Sequence, residues 1–168
     1  VQQAEDYLGE DPIDIIVLGE GERTFTDILD ANNNDFSNIH GIAYLNAQGD
    51  IVKTPKRERI KDLNEIPSPL SAMQLIDDKG KPIYPSISYE TSRGCPFKCA
   101  FCEWGTGAIG TKMNQFSMER VKSDWEIIVQ AGIENIWLAD SNFGALKEDL
   151  EKTQLICDLK NQYGVPRT

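Results

Sequence analysis

The second half of the chain alternates strand-like and helix-like segments, and this alternation constrains the fold more than any other feature. The run "ISYETS" is typical of a short strand, and a helical pattern follows Ser117. The run "IENIWLA" (133–139) predicts the next strand, and residues 146–161 predict a second helix. Successive strand–helix–strand units form right-handed crossovers and place their strands in a parallel sheet. The sequence therefore predicts an α/β fold with its loops of interest beyond the carboxyl ends of the strands.

Both predicted helices carry apolar residues at the spacing of one helical face. Ser117 is the predicted N-cap of the first helix, and Gly132 is its predicted stop. The residues predicted to face the core are Met118, Val121, Trp125 and Ile128 in the first helix and Leu150, Ile156 and Leu159 in the second.

Residues 13–30, "IDIIVLGEGERTFTDILD", predict a strand, a tight turn and a helix. The apolar run "IDIIVL" is typical of a strand that is buried on both faces of a parallel sheet. Phe25, Ile28 and Leu29 then recur at helical spacing. This segment favours the end of a doubly wound α/β domain.

A hairpin and a linker separate these two parts. The run "GIAYLNAQGDIVKTP" predicts a β-hairpin that turns at Asn46–Asp50. Residues 53–70 are basic, then acidic, then proline-bearing, which is typical of a linker. We therefore predict three parts: residues 1–35, residues 36–82 with the hairpin and linker, and residues 83–168. The first residue is Val1 and the last run is "YGVPRT", so we expect an excerpt of a longer protein.

The bulk composition excludes some classes of partner. A net charge of −10 argues against a nucleic-acid backbone or an anionic membrane. The longest apolar run, "IDIIVL", falls far short of the roughly 20 residues that a membrane span needs. The four cysteines are grouped as three plus one, which indicates a metal site in a reducing compartment rather than a disulfide framework. We expect a cytoplasmic protein.

Three of these cysteines, Cys95, Cys99 and Cys102, have the spacing C-x3-C-x2-C. Three thiolates on a short loop suit an iron–sulfur cube, in which the fourth iron stays open for a substrate or cofactor. A structural zinc ion is the alternative, and its fourth ligand would be Cys157 or His40. Cys157 is predicted to be a small core residue and His40 a surface residue, so neither is expected to be the fourth zinc ligand. The cysteine pattern therefore favours an iron–sulfur cluster over a zinc ion.

The run "RGCPFKCAFC" closely resembles the signature of the radical SAM superfamily. The resemblance implies that Cys95, Cys99 and Cys102 hold a [4Fe–4S] cluster and that S-adenosylmethionine binds its open iron. It implies a full or partial (β/α) barrel with the cluster loop after the first strand. It also implies one-electron cleavage of S-adenosylmethionine to methionine and a 5′-deoxyadenosyl radical.

The same resemblance assigns the S-adenosylmethionine contacts. Phe101 is expected to wall the adenine, the alternative being a plain packing aromatic. The family commonly binds the amino group of the cofactor through a Gly-Gly-Glu run after the second strand, where this chain has "DSNFG". Asp140 and Asn142 are the candidate acceptors there, although Asp140 is equally suited to cap the following turn.

The run "VLGEGERTFTDIL" resembles the last strand, turn and helix of the cobalamin-binding domain that precedes many radical SAM cores. Its match places Gly19, Glu20, Gly21 and Glu22 along the nucleotide tail of cobalamin. The implied function is a cobalamin-dependent methyltransferase that acts on an unactivated carbon of a small-molecule or peptide substrate, with flavodoxin or ferredoxin as electron donor. Cyclisation, rearrangement, methylthiolation and a non-enzymatic zinc module are the alternatives, and we expect no full turnover by the excerpt alone.

Overall fold

The computed structural model describes residues 7–9, 13–31, 35–102 and 110–167 of the chain. The chain divides into two units, residues 1–61 and residues 62–168. The hairpin falls in the first unit, together with the strand and helix that precede it. The division into 1–35, 36–82 and 83–168 stays a prediction.

The first unit is a three-stranded antiparallel sheet with one helix. Strand β1 (Ile15–Val17) pairs with β2 (Ile42–Leu45), which pairs with β3 (Ile51–Lys53). The hairpin prediction is confirmed. The Asn46 side chain closes the hairpin turn, because its Oδ1 accepts hydrogen bonds from the backbone N–H groups of Gln48 and Asp50.

One prediction for this unit is wrong within the described residues, and the helix predicted after the turn is confirmed. β1 pairs antiparallel with β2 and is half-buried, rather than buried in a parallel sheet. Helix α1 (Glu22–Asp30) leaves Phe25 56% and Leu29 69% exposed, and its buried residue is Thr24. An apolar run specifies a strand without specifying its neighbour, so direction and burial depend on which segments pack against it.

The second unit carries the predicted parallel pair. Its elements, after 3-10 turns at Leu63–Glu65 and Pro69–Ser71, are β4 (Ser86–Tyr89), β5 (Ser92–Arg93), β6 (Asn114–Gln115), α2 (Met118–Gln130), β7 (Asn135–Leu138) and α3 (Asp149–Tyr163). β4 and β7 pair in parallel, from Ser86 opposite Asn135 to Tyr89 opposite Leu138. β5 and β6 form a short antiparallel pair. None of the helices in the described ranges has the length and apolar character that a bilayer crossing needs.

Helix α2 agrees with the prediction at both ends and along its inner face. The Ser117 Oγ accepts a hydrogen bond of 3.2 Å from the backbone N–H of Arg120, and Gly132 follows the helix at a φ of +76°. Val121, Trp125 and Ile128 are buried.

Helix α3 turns a different face to the interior than its apolar residues predict. Leu159 is buried and Ile156 is half-buried, but Leu150 is 79% exposed. The inward positions near its start are Asp149 and Lys152, which are both buried. Cys157 is exposed, so its predicted place in the core is wrong. Charged residues therefore occupy the inward face at the start of α3, where the pattern predicted apolar residues.

The buried carboxylate of Asp124 joins β4, α2 and the segment before β4. It accepts hydrogen bonds from Tyr89 Oη at 2.9 Å, Ser68 Oγ at 2.7 Å and Arg120 Nε at 2.6 Å. Burial, reinforced by the hydrogen bond to Asp124, raises the pKa of Tyr89 above its ordinary value, so the phenol stays neutral. Arg120 also donates to the Ile66 carbonyl, which holds the incoming chain against α2.

Candidate functional site

Two loops meet at the carboxyl edge of the parallel strands. One follows β4 and leads through β5 into the cysteines, and the other follows β7 with the sequence "DSNFG". The backbone N–H of Ala139 donates to the Tyr89 carbonyl at 2.9 Å, which continues the strand pairing beyond β7. Ser141 Oγ then donates to the Gly94 carbonyl at 2.6 Å. The second loop therefore contacts the residue directly before Cys95.

A short stem carries the cysteine loop. Ser92 of β5 lies opposite Gln115 of β6, and the Cys95 N–H donates to the Gly110 carbonyl at 3.2 Å. Gly94 has a φ of +115°, and a Cβ at this position would lie 2.3 Å from the Lys112 carbonyl oxygen. Glycine is therefore required here both for the backbone conformation and for the close approach of Lys112 and Met113, which directly precede β6.

The three cysteines extend from this stem with free thiols. Cys95 is buried, Cys99 is exposed and Cys102 is half-buried, and the Cys102 N–H donates to the Cys99 carbonyl at 3.1 Å. Within the described ranges, no group of three or more His, Cys, Asp or Glu side chains is arranged to hold a metal ion. The donor chemistry nevertheless fits an iron–sulfur cluster, because three free thiols lie within eight residues of one segment.

Two of the predicted cofactor contacts, Phe101 and Asn142, have side chains that the described residues leave available to a ligand. The Phe101 side chain is 93% exposed, and its contact with the adenine stays a prediction. The Asn142 Nδ2 atom is buried, and it has no hydrogen-bond partner among the described residues. A buried donor without an acceptor is costly unless a ligand or water supplies one.

Asp140 uses its carboxylate to hold the start of the stem. Its Oδ1 accepts from the backbone N–H groups of Thr91 at 2.5 Å and Ser92 at 3.1 Å. Its Oδ2 accepts from the hydroxyls of the same two residues. These four hydrogen bonds fill the roughly four acceptor positions of a carboxylate. Asp140 therefore binds neighbouring backbone across the sheet edge rather than capping the turn that follows it.

Asp149 caps that turn instead, a role that was not predicted from the sequence. Its Oδ2 accepts from the backbone N–H groups of Gly144 at 2.8 Å and Leu146 at 2.9 Å. Burial acts to raise the pKa of Asp149, but the hydrogen bonds from Lys152, Leu146 and Gly144 outweigh it, so the pKa lies below its ordinary value. The signal in the sequence was a carboxylate and an amine three residues apart at the start of a helix, a spacing that places them on one face.

The Gly-Glu-Gly-Glu turn lies in the first unit and is built differently. Gly19 is exposed at a φ of +105°, and Gly21 precedes α1, with its carbonyl accepting from the Phe25 N–H at 2.7 Å. The Glu20 Oε2 accepts from the Ile60 N–H at 2.7 Å, and Glu22 is the first residue of α1. Glu20 thus holds the end of this unit, and a cobalamin contact of the turn stays a prediction.

Comparison with known proteins identifies relatives over most of the chain. No protein-family model matches it. A cobalamin-dependent radical SAM methyltransferase, TokK of Streptomyces tokunonensis, is 29% identical over 92% of the chain and 24% of the relative. The 2-(S-pantetheinyl)-carbapenam-3-carboxylate methyltransferase of Streptantibioticus cattleyicolor is 29% identical over 96% of the chain and 25% of the relative. The chain thus spans about a quarter of the length of these curated relatives.

A solved structure has the same fold over this region. TsrM, a radical S-adenosylmethionine methyltransferase from Kitasatospora setae solved with cobalamin and a [4Fe–4S] cluster, matches 92% of this chain and 31% of its own. The TM-score is 0.60 at 19% sequence identity.

The cysteine loop lies at the carboxyl edge of a parallel strand pair, and its sequence "RGCPFKCAFC" resembles the signature of the radical SAM superfamily. The relatives narrow this assignment. A homologue named as a cobalamin-dependent radical SAM methyltransferase covers most of this chain, which supports the cobalamin-containing radical SAM subfamily.

Proposed function

We propose that this chain is the cluster-binding part of a radical SAM enzyme, in a cobalamin-dependent methyltransferase that acts on an unactivated carbon. The observation that carries the proposal is the set of three free thiols, C-x3-C-x2-C, on a stem held at the carboxyl edge of β4 and β7. Two relatives, both named as methyltransferases, support methyl transfer.

Cys95, Cys99 and Cys102 would hold the cluster as thiolates, each supplying one sulfur to one iron. The chemistry that a bound [4Fe–4S] cluster supplies is one-electron reduction of S-adenosylmethionine at its open iron. This chain would ligate the cluster, orient S-adenosylmethionine and exclude water from both. The buried Cys95, fixed through its own N–H, provides a rigid first ligand, and the exposed Cys99 lies on the accessible side of the loop.

Asn142 is the residue we assign to the methionyl end of S-adenosylmethionine. Its buried Nδ2 donates, so it suits the carboxylate of the cofactor better than the ammonium group. Asp140 has its acceptor positions filled by Thr91 and Ser92, so its contribution is to hold the loop rather than to accept from the ammonium group. The exposed ring of Phe101 supplies an apolar wall for the adenine.

The proposed architecture follows the sequence-based division. Residues 1–35 would end a doubly wound cobalamin-binding domain, with Gly19, Glu20, Gly21 and Glu22 beside the nucleotide tail. Residues 36–82 would join the domains, and residues 83–168 would begin a partial (β/α) barrel. Flavodoxin or ferredoxin would donate the electron, and the substrate would be a small molecule or a peptide.

Anaerobic reconstitution with iron and sulfide tests cluster binding. We expect the protein to develop the broad visible absorbance of a [4Fe–4S] cluster and Cys99→Ala to lose it, because an iron loses its thiolate. Cys157→Ala is the matched control, since this thiol is exposed on α3, and it should load fully. Uptake of zinc without cluster absorbance, or a normal cluster in Cys99→Ala, would refute the proposal.

Product analysis with S-adenosylmethionine labelled in its methyl group, carried out on the longer protein that we expect to contain this chain, tests the reaction type. Methyl transfer puts the label into the product. Cyclisation or rearrangement leaves the product unlabelled, and methylthiolation adds sulfur with the label.

A further inference from the structure

Lys152 is a fully buried amine whose three donors all have partners. Its side chain is 0% exposed, and its Nζ donates to Asp149 Oδ1 at 2.9 Å, Thr91 Oγ1 at 3.0 Å and Gln115 Oε1 at 3.3 Å. An ammonium group has three N–H donors, so these bonds satisfy it completely. Lysine is almost never fully buried unless it is paired in this way.

The partners of Lys152 lie on both sides of the cysteine loop. Thr91 directly precedes β5, and Gln115 belongs to β6, which pairs with β5. Cys95, Cys99 and Cys102 all lie on the chain between these two strands. A single side chain from α3 thus bonds both strands of the stem from which the loop extends.

The Thr91 hydroxyl links this contact to the loop after β7. It donates to Asp140 Oδ2 and accepts from Lys152 Nζ, so its one proton and one lone pair have defined partners. Thr91 and Ser92 are themselves buried. The stem is therefore held from two directions, by Asp140 at the sheet edge and by Lys152 from the helix.

Stability alone does not account for such a group. Replacement of a buried ion pair by apolar side chains of similar volume is often neutral or stabilising, whereas removal of one partner leaves an unpaired buried charge. What a satisfied buried network provides is one defined arrangement of the groups that it joins. Here those groups are the two strands next to the cysteines.

We propose that Lys152 is a positioning residue that clamps both strands of the cysteine-loop stem and thereby fixes the first thiol, Cys95. The clamp itself is a property of the chain. Its consequence for a [4Fe–4S] cluster rests on the proposed function.

The decisive variant is Lys152→Met together with Asp149→Asn. Methionine keeps most of the length of the side chain, and the asparagine oxygen still accepts from Gly144 and Leu146, so no charge is left unpaired. Thermal unfolding should occur at a modestly lower temperature, because Thr91 and Gln115 lose their shared donor and the buried asparagine N–H groups gain no acceptor. We expect the alkylation rate of Cys95 in the metal-free protein to rise about tenfold, because the stem opens more often.

Alkylation is followed site by site by mass spectrometry on the purified protein. The exposed thiols of Cys99 and Cys157 serve as internal references and should not change. Lys160→Met on the same helix is the matched control, since Lys160 is exposed and donates to the Arg167 carbonyl. After reconstitution, the double variant should lose iron to a chelator about tenfold faster, at the low end of the effects of outer-shell residues, with an altered EPR spectrum of the reduced cluster.

A double variant that folds and protects Cys95 as the parent protein does would overturn the proposal. If that variant does not fold, Thr91→Val and Thr91→Ser decide the matter. Faster alkylation in the valine variant, with protection restored in the serine variant, supports the clamp, and parental protection in both refutes it. Failure of the parent protein to take up a cluster overturns the proposed function alone, because the Cys95 comparison needs no cluster.

Discussion

The turn after β1 and the stem after β4 both depend on a glycine with positive φ, but their surroundings differ. A Cβ added at Gly19, where φ is +105°, would meet no atom of the described residues within 4 Å. A Cβ added at Gly94, where φ is +115°, would lie 2.3 Å from the Lys112 carbonyl oxygen. Among the described residues, the first glycine is required for backbone conformation alone. The second also allows the close approach of the segment before β6, which makes the stem far less tolerant of change.

The charged side chains of the two regions also differ in how many groups they bond. Glu20 of the turn is half-buried, accepts from the backbone N–H of Ile60 and pairs with Arg59, with 3.8 Å between Oε1 and Nε. At the stem, Asp140, Asp149 and Lys152 engage strands, loops and helix through bonds on nearly every polar atom. A region enclosed on several sides must satisfy its polar groups internally, because water cannot reach them.

The contrast between the two glycines is tested most directly by comparing the single variants Gly94→Ala and Gly19→Ala. We expect Gly19→Ala to cost about 1–2 kcal/mol from the left-handed backbone alone. Gly94→Ala should cost about 2–5 kcal/mol in the free energy of unfolding, because the clash with Lys112 is added to the same strain. Urea unfolding followed by circular dichroism measures both, and equal costs would mean that the stem strands separate easily.

A medium effect is expected at Asp149, with a defined dependence on pH. Its pKa is lowered in the folded protein, so the carboxylate stabilises the fold above the pKa of the unfolded chain, and this contribution disappears as the pH falls through the folded value. Asp149→Asn alone should lower the free energy of unfolding by about 1–3 kcal/mol at neutral pH.

The difference between Asp149→Asn and the parent protein should shrink below the ordinary carboxyl pKa of about 4. Unfolding curves at pH 7 and at pH 3 measure it. A difference that persists unchanged into acid would show that the charge of Asp149 is not what stabilises the start of α3.

The smallest effect is expected on the outer face of α1. Phe25→Ser and Leu29→Ser should each change the free energy of unfolding by less than about 0.5 kcal/mol, since both side chains are largely exposed. Ile42→Ala in β2 is the control within the same unit and should cost about 2–5 kcal/mol, because Ile42 is fully buried. A loss above about 1 kcal/mol at Leu29 would show that another surface covers this face.

Local patterns predicted the elements well, because the hydrogen bonds of a helix or a tight hairpin join residues near in sequence. The Ser117 cap, the stop at Gly132 and the turn at Asn46 are all of this kind. The parallel pairing of β4 with β7 was also predictable, since a helix between two strands of one sheet forms a right-handed crossover that leaves the strands parallel.

The predictions that were wrong depended on distant neighbours. The antiparallel pairing of β1, the exposure of Leu150 and the exposure of Cys157 all depend on which segment packs against each residue. An amphipathic period does not distinguish an apolar surface residue from a core residue when charged side chains form the inner face of a helix, as they do at the start of α3.

The sequence by itself determined the donor set of this protein: three thiols at C-x3-C-x2-C spacing after a strand, a spacing that suits an iron–sulfur cluster. The tertiary structure alone decided how that loop is held. Thr91, Gln115, Asp140 and Lys152 lie up to 61 positions apart, and only folding brings them into hydrogen-bonding distance. Ligand chemistry is local to a short segment, whereas the rigidity of that segment comes from side chains that the chain supplies from elsewhere.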